Sequence, residues 1–287
     1  MPVPPRKIKF YMFPGSNSVM TGRLMLEHKG LRYKEVKLPP GAHAFIMLGL
    51  GFETMSVPAI KVDGVRTQGT RWIARALDEL VPDRPLFPAD PVRRRAVEDA
   101  ERWGEGFQNA TRRIFYTGAR RDRKAFASVM TVERSLPMRV VLRLSARLIV
   151  RLATGAHRAS DAAGREDMAL LGERLDQIDA WIEEGLLGGE ELNAADFQIA
   201  PNVSALLLAE DLAPFVRGRP AEAWAARVAP GYVGHIGRVA PADWLAPLEA
   251  HARRKREGEE AAAGADPAAG DDDWAATLVR PGAPAGG

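Results

Sequence analysis

The sequence predicts a small α/β domain followed by an all-α helical-bundle domain. Three observations support this fold class. A strand, a helix and a strand precede a tight hairpin near the N-terminus, a proline-rich segment follows, and the remaining chain has helical periodicity without strand signals. At 287 residues, the chain is long enough for two cores. We predict an α/β domain over residues 1–81, a linker over 82–91, a helical domain over 92–251 and a disordered tail over 252–287.

The composition indicates a globular protein and excludes several kinds of site. Hydrophobic residues make up 46% of the chain and charged residues 27%. The net charge of +3 is spread over mixed acidic and basic residues, so we predict no nucleic-acid partner. The absence of cysteine excludes disulfides, thiolate metal sites and a cysteine nucleophile. The five histidines lack metal-ligand spacing, so we also predict no metal.

The hydropathy pattern gives no membrane signal. No segment has the run of roughly 18 apolar residues that a membrane-spanning helix needs. The first residues, 1–9, lack the apolar stretch and the cleavage site of a signal peptide. We therefore expect no membrane span and a cytoplasmic location.

The first elements form a strand–helix–strand unit. Alternating aromatic residues over Ile8–Phe13 predict a strand, which Pro14-Gly15 ends. Apolar positions at helical spacing predict a helix over Ser18–Lys29, and Arg32–Leu38 returns to a strand pattern. A unit of this size favours parallel pairing of its two strands.

A hairpin and a second helix complete the α/β domain. Residues 39–56 are apolar and irregular, and we predict a short helix plus loop there. Val57–Val62 and Val65–Thr67 are typical of two strands, joined by Asp63-Gly64, which supplies the positive φ angles of a tight turn. Thr70 is predicted to cap the N-terminus of a helix that ends at Leu80.

The second half of the chain predicts only helices. Helical periodicity covers residues 92–118, 138–153 and 167–185. Asn193 and Asp196 have the spacing of a capping box, in which each side chain accepts a hydrogen bond from the other residue's backbone amide. We therefore predict a further helix that begins at this pair.

Two other sets of side chains have structural interpretations. Four arginines recur every fourth residue and form a basic stripe, which we interpret as a solvated face; the alternative is contact with anionic lipid or an acidic co-substrate. Large tryptophans are predicted core or interdomain residues. The arginines are Arg139, Arg143, Arg147 and Arg151, and the tryptophans are Trp72, Trp103, Trp181, Trp224 and Trp244.

Several short motifs, in this order and spacing, resemble those of the glutathione transferase family over about residues 7–250. Ser16-Asn-Ser-Val19 is similar to the family's serine-type active-site segment, and Arg23-Leu-Met-Leu-Glu27 to its first helix. Val57-Pro-Ala-Ile60 resembles the segment that opens the family's hairpin. Gly69-Thr-Arg-Trp-Ile73 and Ala194-Ala-Asp-Phe197 stand where the family has a helix start in each domain.

The resemblance implies a thioredoxin-like N-terminal domain, a helical C-terminal domain and a transferase activity. Such an enzyme conjugates a bound low-molecular-weight thiol, glutathione or a related cellular thiol, to a hydrophobic electrophile, commonly as a homodimer. The resemblance gives Ser16 the role of activating the thiol, with Ser18 and Tyr11 as alternatives. It also implies a cis bond before Pro58, which exposes the backbone of Val57 to the peptide part of glutathione.

The remaining ligand contacts follow from the same resemblance. Thr70 takes the position of a serine that binds the γ-glutamyl carboxylate. Gly69 replaces the acidic or amide residue that faces the ligand's amino group, and Gln68 is the substitute that the sequence offers. His43 is a candidate cation for the glycine carboxylate, with surface packing as the alternative. Tyr116 is a candidate contact of the electrophile, together with Tyr11.

The chemistry of such a site follows from the thiol itself. A free thiol has a pKa of about 8.5, so little thiolate is present at neutral pH. A hydroxyl donor at the start of a helix stabilises the anion, together with the unpaired backbone amides there. Ser16 is predicted at such a position, where simple helix capping is the alternative role. Because a fold hosts many functions, the competing hypothesis is a non-catalytic ligand-binding or interaction protein.

Overall fold

The computed structural model describes residues 6–13, 15–39, 42–121, 147–230 and 234–264. The strands are β1 (Ile8–Met12), β2 (Lys34–Lys37), β3 (Ala59–Val62) and β4 (Val65–Gln68). The helices are α1 (Asn17–His28), α2 (His43–Gly49), α3 (Thr70–Leu80), α4 (Pro91–Arg121), α5 (Asp161–Ala169), α6 (Leu171–Glu183), α7 (Ala194–Leu208), α8 (Ala213–Val216), α9 (Pro220–Val228) and α10 (Ala242–Gly264). Residues 147–156 are also helical. The predicted order, an α/β region followed by a helical one, is confirmed.

The four strands form one mixed sheet in the order β2-β1-β3-β4. β1 and β2 are parallel, and β3 is antiparallel to both β1 and β4. Asp63 and Gly64 form the two-residue turn of the hairpin, with φ angles of 48° and 103°. Both the strand–helix–strand unit and the hairpin of the sequence prediction are confirmed.

Side chains of β1 divide between the two faces of the sheet because successive residues of a strand alternate. Phe10 and Met12 are fully buried in the main core, which includes Met25 of α1 and Ile73 of α3. Tyr11 points to the opposite face and belongs to a smaller core under α2. Helices therefore cover both faces of the sheet, which is the thioredoxin-like arrangement.

The main hydrophobic core extends from the α/β region into the helical region without a break. Phe10 and Phe107 belong to the same cluster of buried side chains as Phe197. Between α3 and α4, the fully buried Glu101 carboxylate accepts hydrogen bonds from Arg75 at 2.9 Å and from Arg71 at 3.4 Å. The two regions are thus packed together by apolar contacts and by a shared ion pair.

The proline-rich segment between α3 and α4 is packed rather than free. Leu86 and Phe87 are buried within it. The buried Lys29 ammonium donates to the Asp78 carboxylate at 2.6 Å and to the Val81 carbonyl at 2.8 Å, and the same carboxylate accepts from the Leu86 amide at 2.7 Å. These bonds fix the path of the chain from α3 to α4.

Helix α7 is the central element of the helical region, and its start is set by the predicted capping box. Asn193 accepts hydrogen bonds from the first amides of the helix, while the Asp196 carboxylate accepts from the Asn193 amide at 2.9 Å. Nearly every side chain of the helix is buried, which fits its position between α4 and other helices. The capping-box prediction is confirmed.

Some predicted helix boundaries are wrong. Gly69, not Thr70, is the N-cap of α3, because the backbone there has a φ of 89°, a conformation that favours glycine; Thr70 is the first helical residue. The predicted helix over 167–185 is divided at Leu170 into α5 and α6. α10 continues to Gly264, so residues 252–264 of the predicted disordered tail are helical.

The extension of α10 has a physical cause in its contacts with α6. His251 and Lys255 both lie within hydrogen-bond distance of the Asp176 carboxylate, at 2.6 and 2.9 Å. These two contacts tie α10 to α6 on both sides of Ala252, where the composition change suggested that the helix ends. The rest of the predicted tail, residues 265–287, lies outside the described residues.

One of the five tryptophans predicted as core or interdomain residues is exposed. Trp72 is 69% exposed and is not a core residue, because Ile73, Ala74 and Leu77 form the buried face of α3. The other four tryptophans are buried or packed against the core, as predicted. Of the basic stripe, Arg147 and Arg151 are exposed, whereas Arg139 and Arg143 lie outside the described residues.

Asp176 is predicted to make folding stability depend on pH in acid. Burial opposes its charge, but hydrogen bonds from Lys255, Arg219 and His251 outweigh burial and lower the pKa to about 2. Because the folded pKa lies below the unfolded value of about 3.9, the stabilisation is present above about pH 4 and is lost as pH falls toward about 2. Since the carboxylate is partly exposed, Asp176→Asn should lower the free energy of unfolding by only about 1–2 kcal/mol at neutral pH. Urea unfolding of the wild type and of Asp176→Asn across this pH range measures the difference in unfolding free energy.

The matched control for this prediction is Asp99→Asn. Asp99 pairs with Arg102 on the exposed face of α4, where 56% of its side chain is accessible. Such surface pairs contribute little, so this variant should change the free energy of unfolding by less than about 0.5 kcal/mol. Equal effects of the two substitutions would contradict a special role for Asp176.

Candidate functional site

The loop between β1 and α1 places Ser16 at the N-cap of α1. Its backbone is extended, with φ −97° and ψ 124°, and its carbonyl accepts from the Met20 amide at 3.1 Å. The hydroxyl itself makes no capping hydrogen bond. Ser16 is therefore the N-cap by backbone geometry, while its side chain does not serve the first amides of the helix.

A pair of hydroxyls joins this helix start to the loop before β3. The Ser16 and Ser18 Oγ atoms lie 3.0 Å apart, and Ser18 Oγ donates to the Val57 carbonyl at 3.4 Å. Ser18 is buried, whereas Ser16 is only partly buried. Of the two hydroxyls, Ser16 is the more accessible to a ligand.

Val57 and Pro58 connect the start of α1 with the start of α3. The bond between them is cis. The Val57 amide has no hydrogen-bond acceptor among the residues that the structure describes, while the Pro58 carbonyl accepts from the Gly69 amide at 3.1 Å. Thr70 follows directly and places a hydroxyl in the first turn of α3, where backbone amides lack acceptors within the helix. Ser16, Ser18, Val57 and Thr70 thus belong to one connected region at the starts of two helices.

Gln68 is held by the loop before β3. Its Nε2 donates to the Thr54 carbonyl at 2.8 Å and to the Ser56 carbonyl at 2.6 Å, and its Oε1 accepts from the Thr54 amide at 3.0 Å. Both amide hydrogens are thereby used, and a ligand could reach only the second lone pair of Oε1. The Gln68 side chain therefore stabilises this loop.

His43 is the first residue of α2 and lies against the end of β1. Its ring centroid is 4.9 Å from that of Phe13, the residue that follows β1. Burial lowers the pKa of His43, so the imidazole is neutral at neutral pH. A neutral ring can hydrogen-bond a carboxylate but does not supply the cation that we predicted.

Neither tyrosine contacts the hydroxyl pair. Tyr11 is buried on the α2 face of the sheet, where its ring packs edge-on against Phe52 with centroids 5.0 Å apart. Tyr116 lies on α4, where its ring stacks on His157 with centroids 5.3 Å apart. Tyr11 is thus a core residue of the α/β region, and Tyr116 lies in the helical region.

Two interdomain contacts support the site and were not found by sequence reasoning. Asn17, the first residue of α1, donates from Nδ2 to Oδ1 of the buried Asn202 on α7 at 3.0 Å. Glu101 anchors the first turns of α3 through Arg71 and Arg75. Asn17 and Asn202 are 185 residues apart, so no local pattern could have indicated their contact.

The described residues give no sign of a metal site or a membrane span. Within them, no three or more histidine or acidic side chains are grouped to hold a metal ion. None of their helices combines the length and hydropathy needed to cross a bilayer.

The fold and this site define a thioredoxin-like domain with a helix-start hydroxyl, joined to a helical domain. Residues 10–85 match the family model described as the N-terminal domain of glutathione S-transferase. This part of the chain is therefore a glutathione S-transferase N-terminal domain, and the chain as a whole has the glutathione-transferase fold.

Solved structures agree with this fold at low sequence identity. A glutathione S-transferase from Rhodospirillum rubrum is 19% identical, with a TM-score of 0.51, over 77% of this chain and 87% of that one. FzlA from C. crescentus is 17% identical, with a TM-score of 0.54, over 83% and 97%. The β-etherase LigF from Sphingobium is 17% identical, with a TM-score of 0.53, over 88% and 99%. No curated protein matches the sequence.

Proposed function

We propose that this protein is a glutathione-transferase-like enzyme that conjugates a bound low-molecular-weight thiol, glutathione or a related cellular thiol, to a hydrophobic electrophile. One observation carries the proposal: the Ser16 hydroxyl sits at the N-cap of α1 without capping it. The Ser16 hydroxyl is partly exposed and bonds to the neighbouring Ser18 hydroxyl, a neutral partner with which a charged ligand can compete. This hydroxyl lies beside the Val57 backbone, with Ser18 between them.

Ser16 fits the role of thiolate donor better than its two alternatives. Ser18 has a single hydroxyl hydrogen, and when it donates to the Val57 carbonyl, the Ser16 hydroxyl donates to Ser18 Oγ. Ser16 is the more accessible of the two, and its hydrogen can turn from this neutral acceptor to a bound thiolate. Tyr11 is buried in the small core under α2. In the proposed reaction, the thiol loses its proton to solvent, Ser16 donates to the thiolate, and sulfur attacks the electrophilic carbon as the leaving group departs with its bonding electrons.

The rest of the thiol is proposed to lie along the connected region described above. The Val57 amide is placed to pair with a peptide carbonyl of the ligand, and Thr70 with the first α3 amides to bind a carboxylate. His43 and the remaining lone pair of Gln68 Oε1 are the further proposed contacts. Because Gly69 supplies no side chain for the ligand's amino group, a thiol related to glutathione fits as well as glutathione itself.

Thermal unfolding with candidate thiols tests the proposal. Glutathione or mycothiol, at about 100 times its dissociation constant, should raise the free energy of unfolding by about 2.7 kcal/mol. Thr70→Ala should weaken this binding by about 10-fold, because one hydrogen bond to a charged group is lost. The control is Thr154→Ala, in the helical region outside the proposed site. Stabilisation should be accompanied by thiol-dependent conversion of chlorodinitrobenzene; an absence of any thiol effect would reject the thiol site.

The second candidate function is a non-catalytic ligand-binding or interaction protein. It is favoured by the apolar surface of α2, where Phe45 is 74% exposed and Leu48 is 42% exposed. This candidate predicts binding without turnover, even with a thiol that stabilises the fold. From the family resemblance we further propose a homodimer that acts in the cytoplasm.

A further inference from the structure

Arg112 differs from the other partly buried arginine of α4, since within the part of the chain that the structure describes it forms no ion pair. Arg113 pairs with the Asp167 carboxylate through two hydrogen bonds, at 2.6 and 2.8 Å. Arg112 instead donates to the neutral Asn109 Oδ1 at 3.0 Å, and no carboxylate lies within 4.0 Å of it among the described residues. A guanidinium stays charged in proteins, and a partly buried charge is costly without an anion. Among the described residues, Glu105 interacts with the Arg112 charge without forming an ion pair, so the guanidinium can still bind an anion.

The position of Arg112 on α4 places it beyond the start of α3. Glu101 contacts Arg75 of α3, and one turn later Glu105 lies 3.8 Å from Arg71, next to Thr70. Residues seven apart share a helix face and are separated by about 10 Å along the axis. Arg112 thus lies on the α4 face that contacts the α3 start, two turns further along the helix.

Two stacked aromatic rings lie beside Arg112. One turn further along α4, the Tyr116 ring is stacked on His157, with an angle of 10° between their planes. Burial, and then the nearby Arg112 charge, lower the pKa of His157 to about 4, so its ring is neutral at neutral pH. The surroundings therefore combine the Arg112 guanidinium with two neutral aromatic rings.

We propose that Arg112 binds a carboxylate of the second substrate, so that the preferred electrophile is an aromatic acid whose ring packs beside Tyr116 and His157. The inference rests on the proposed transferase function and specifies its substrate class. A planar guanidinium binds a carboxylate through two parallel hydrogen bonds. Because Glu105 lies two turns away from Arg112, the site suits a monoanion better than a phosphate dianion, which Glu105 would repel more strongly.

Equilibrium binding tests the anion site without relying on turnover. Nitrobenzoate and nitrobenzamide have nearly the same shape, and only the first is charged. Nitrobenzoate should bind the protein at least about 10-fold more tightly, since each hydrogen bond to a charged group is worth about 1.5 kcal/mol or more. Arg112→Gln should abolish this preference, and Arg112→Lys, which keeps the charge, should retain part of it. Arg102→Gln, on the exposed face of the same helix, is the matched control and should retain it fully.

A kinetic comparison separates this inference from the proposed function. With glutathione or mycothiol, a chloronitrobenzoate and the matching amide react by the same substitution: sulfur bonds to the ring carbon, chloride leaves with the bonding electrons, and the thiol proton goes to solvent. The benzoate should have a lower KM than the amide. Arg112→Gln should raise the KM of the benzoate and leave that of the amide unchanged. Equal turnover of both, with equal binding of the nitro compounds, would overturn the inference and leave the transferase function standing. Arg112-dependent binding without turnover of either would overturn the function and support the anion site.

Discussion

The Asp196→Ala variant should lose about 3–5 kcal/mol of unfolding free energy, the largest stability change we expect from one substitution. The Asp196 carboxylate is fully buried and accepts from the amides of Asn193 and Gly188 and from the Trp224 indole, at 2.9, 2.7 and 2.9 Å. Alanine leaves all three donors without this acceptor, and two of them, the Asn193 amide and the Trp224 indole, are buried. It also removes half of the capping box that begins α7. Chemical denaturation followed by circular dichroism measures the loss.

Two variants serve as controls for this prediction. Asp196→Asn keeps an acceptor oxygen and most of the shape, so its cost should be smaller, about 1–3 kcal/mol. Asp99→Ala removes an exposed carboxylate of α4 and should cost less than about 0.5 kcal/mol. If Asp196→Ala lowered the free energy of unfolding no more than Asp99→Ala, the packing of α6, α7 and α9 could not depend on the Asp196 carboxylate.

The Ser16→Ala variant should reduce thiol conjugation most strongly below the pKa of the free thiol. If the Ser16 hydroxyl lowers the thiol pKa by about two units, then at about pH 6.5 the thiolate fraction of the bound thiol falls about 50-fold in the variant. A more basic thiolate is also more nucleophilic, which offsets part of this loss and leaves a rate reduction of about 10-fold. The reduction should shrink as pH rises above about 8.5, where free thiols ionise unaided. Thiolate absorbance measures the thiolate fraction of the bound thiol, and pre-steady-state kinetics measures the rate of conjugation.

Ser18→Ala is the matched control for Ser16→Ala. It removes the neighbouring hydroxyl and the hydrogen bond to the Val57 carbonyl but leaves the Ser16 hydroxyl in place. We expect weaker thiol binding with little change in the pKa of the bound thiol. A shifted thiol pKa in Ser18→Ala, with none in Ser16→Ala, would assign the activating role to Ser18 instead.

Sequence reasoning succeeded where the determining interactions are local. The hairpin depends on Asp63-Gly64 and the start of α7 on Asn193 and Asp196, and these residues are within a few positions of one another. It failed for the end of α10, because that helix is held by Asp176, far away in the chain. It also misplaced Trp72, since the buried face of α3 decides which of its side chains meets solvent.

The same distinction between local and long-range interactions applies to the candidate site. Its residues were named from their motifs, but the motifs did not indicate that Gln68 is held by its own loop or that burial keeps His43 neutral. Nor did they separate Tyr11, in a core, from Ser16, at an accessible helix start. Each of these differences depends on neighbours that folding brings together.

By itself, the sequence determined the order of strands and helices, the hairpin turn and the capping box, because periodicity and turn chemistry act over a few residues. Only the tertiary structure decided that Ser18 reaches the Val57 carbonyl across 39 residues, that Asn17 meets Asn202, and that Arg112 forms no ion pair among the described residues. Such contacts depend on how whole elements pack. Hydrogen bonding and charge pairing between distant side chains follow from that packing and have no signature in the local sequence.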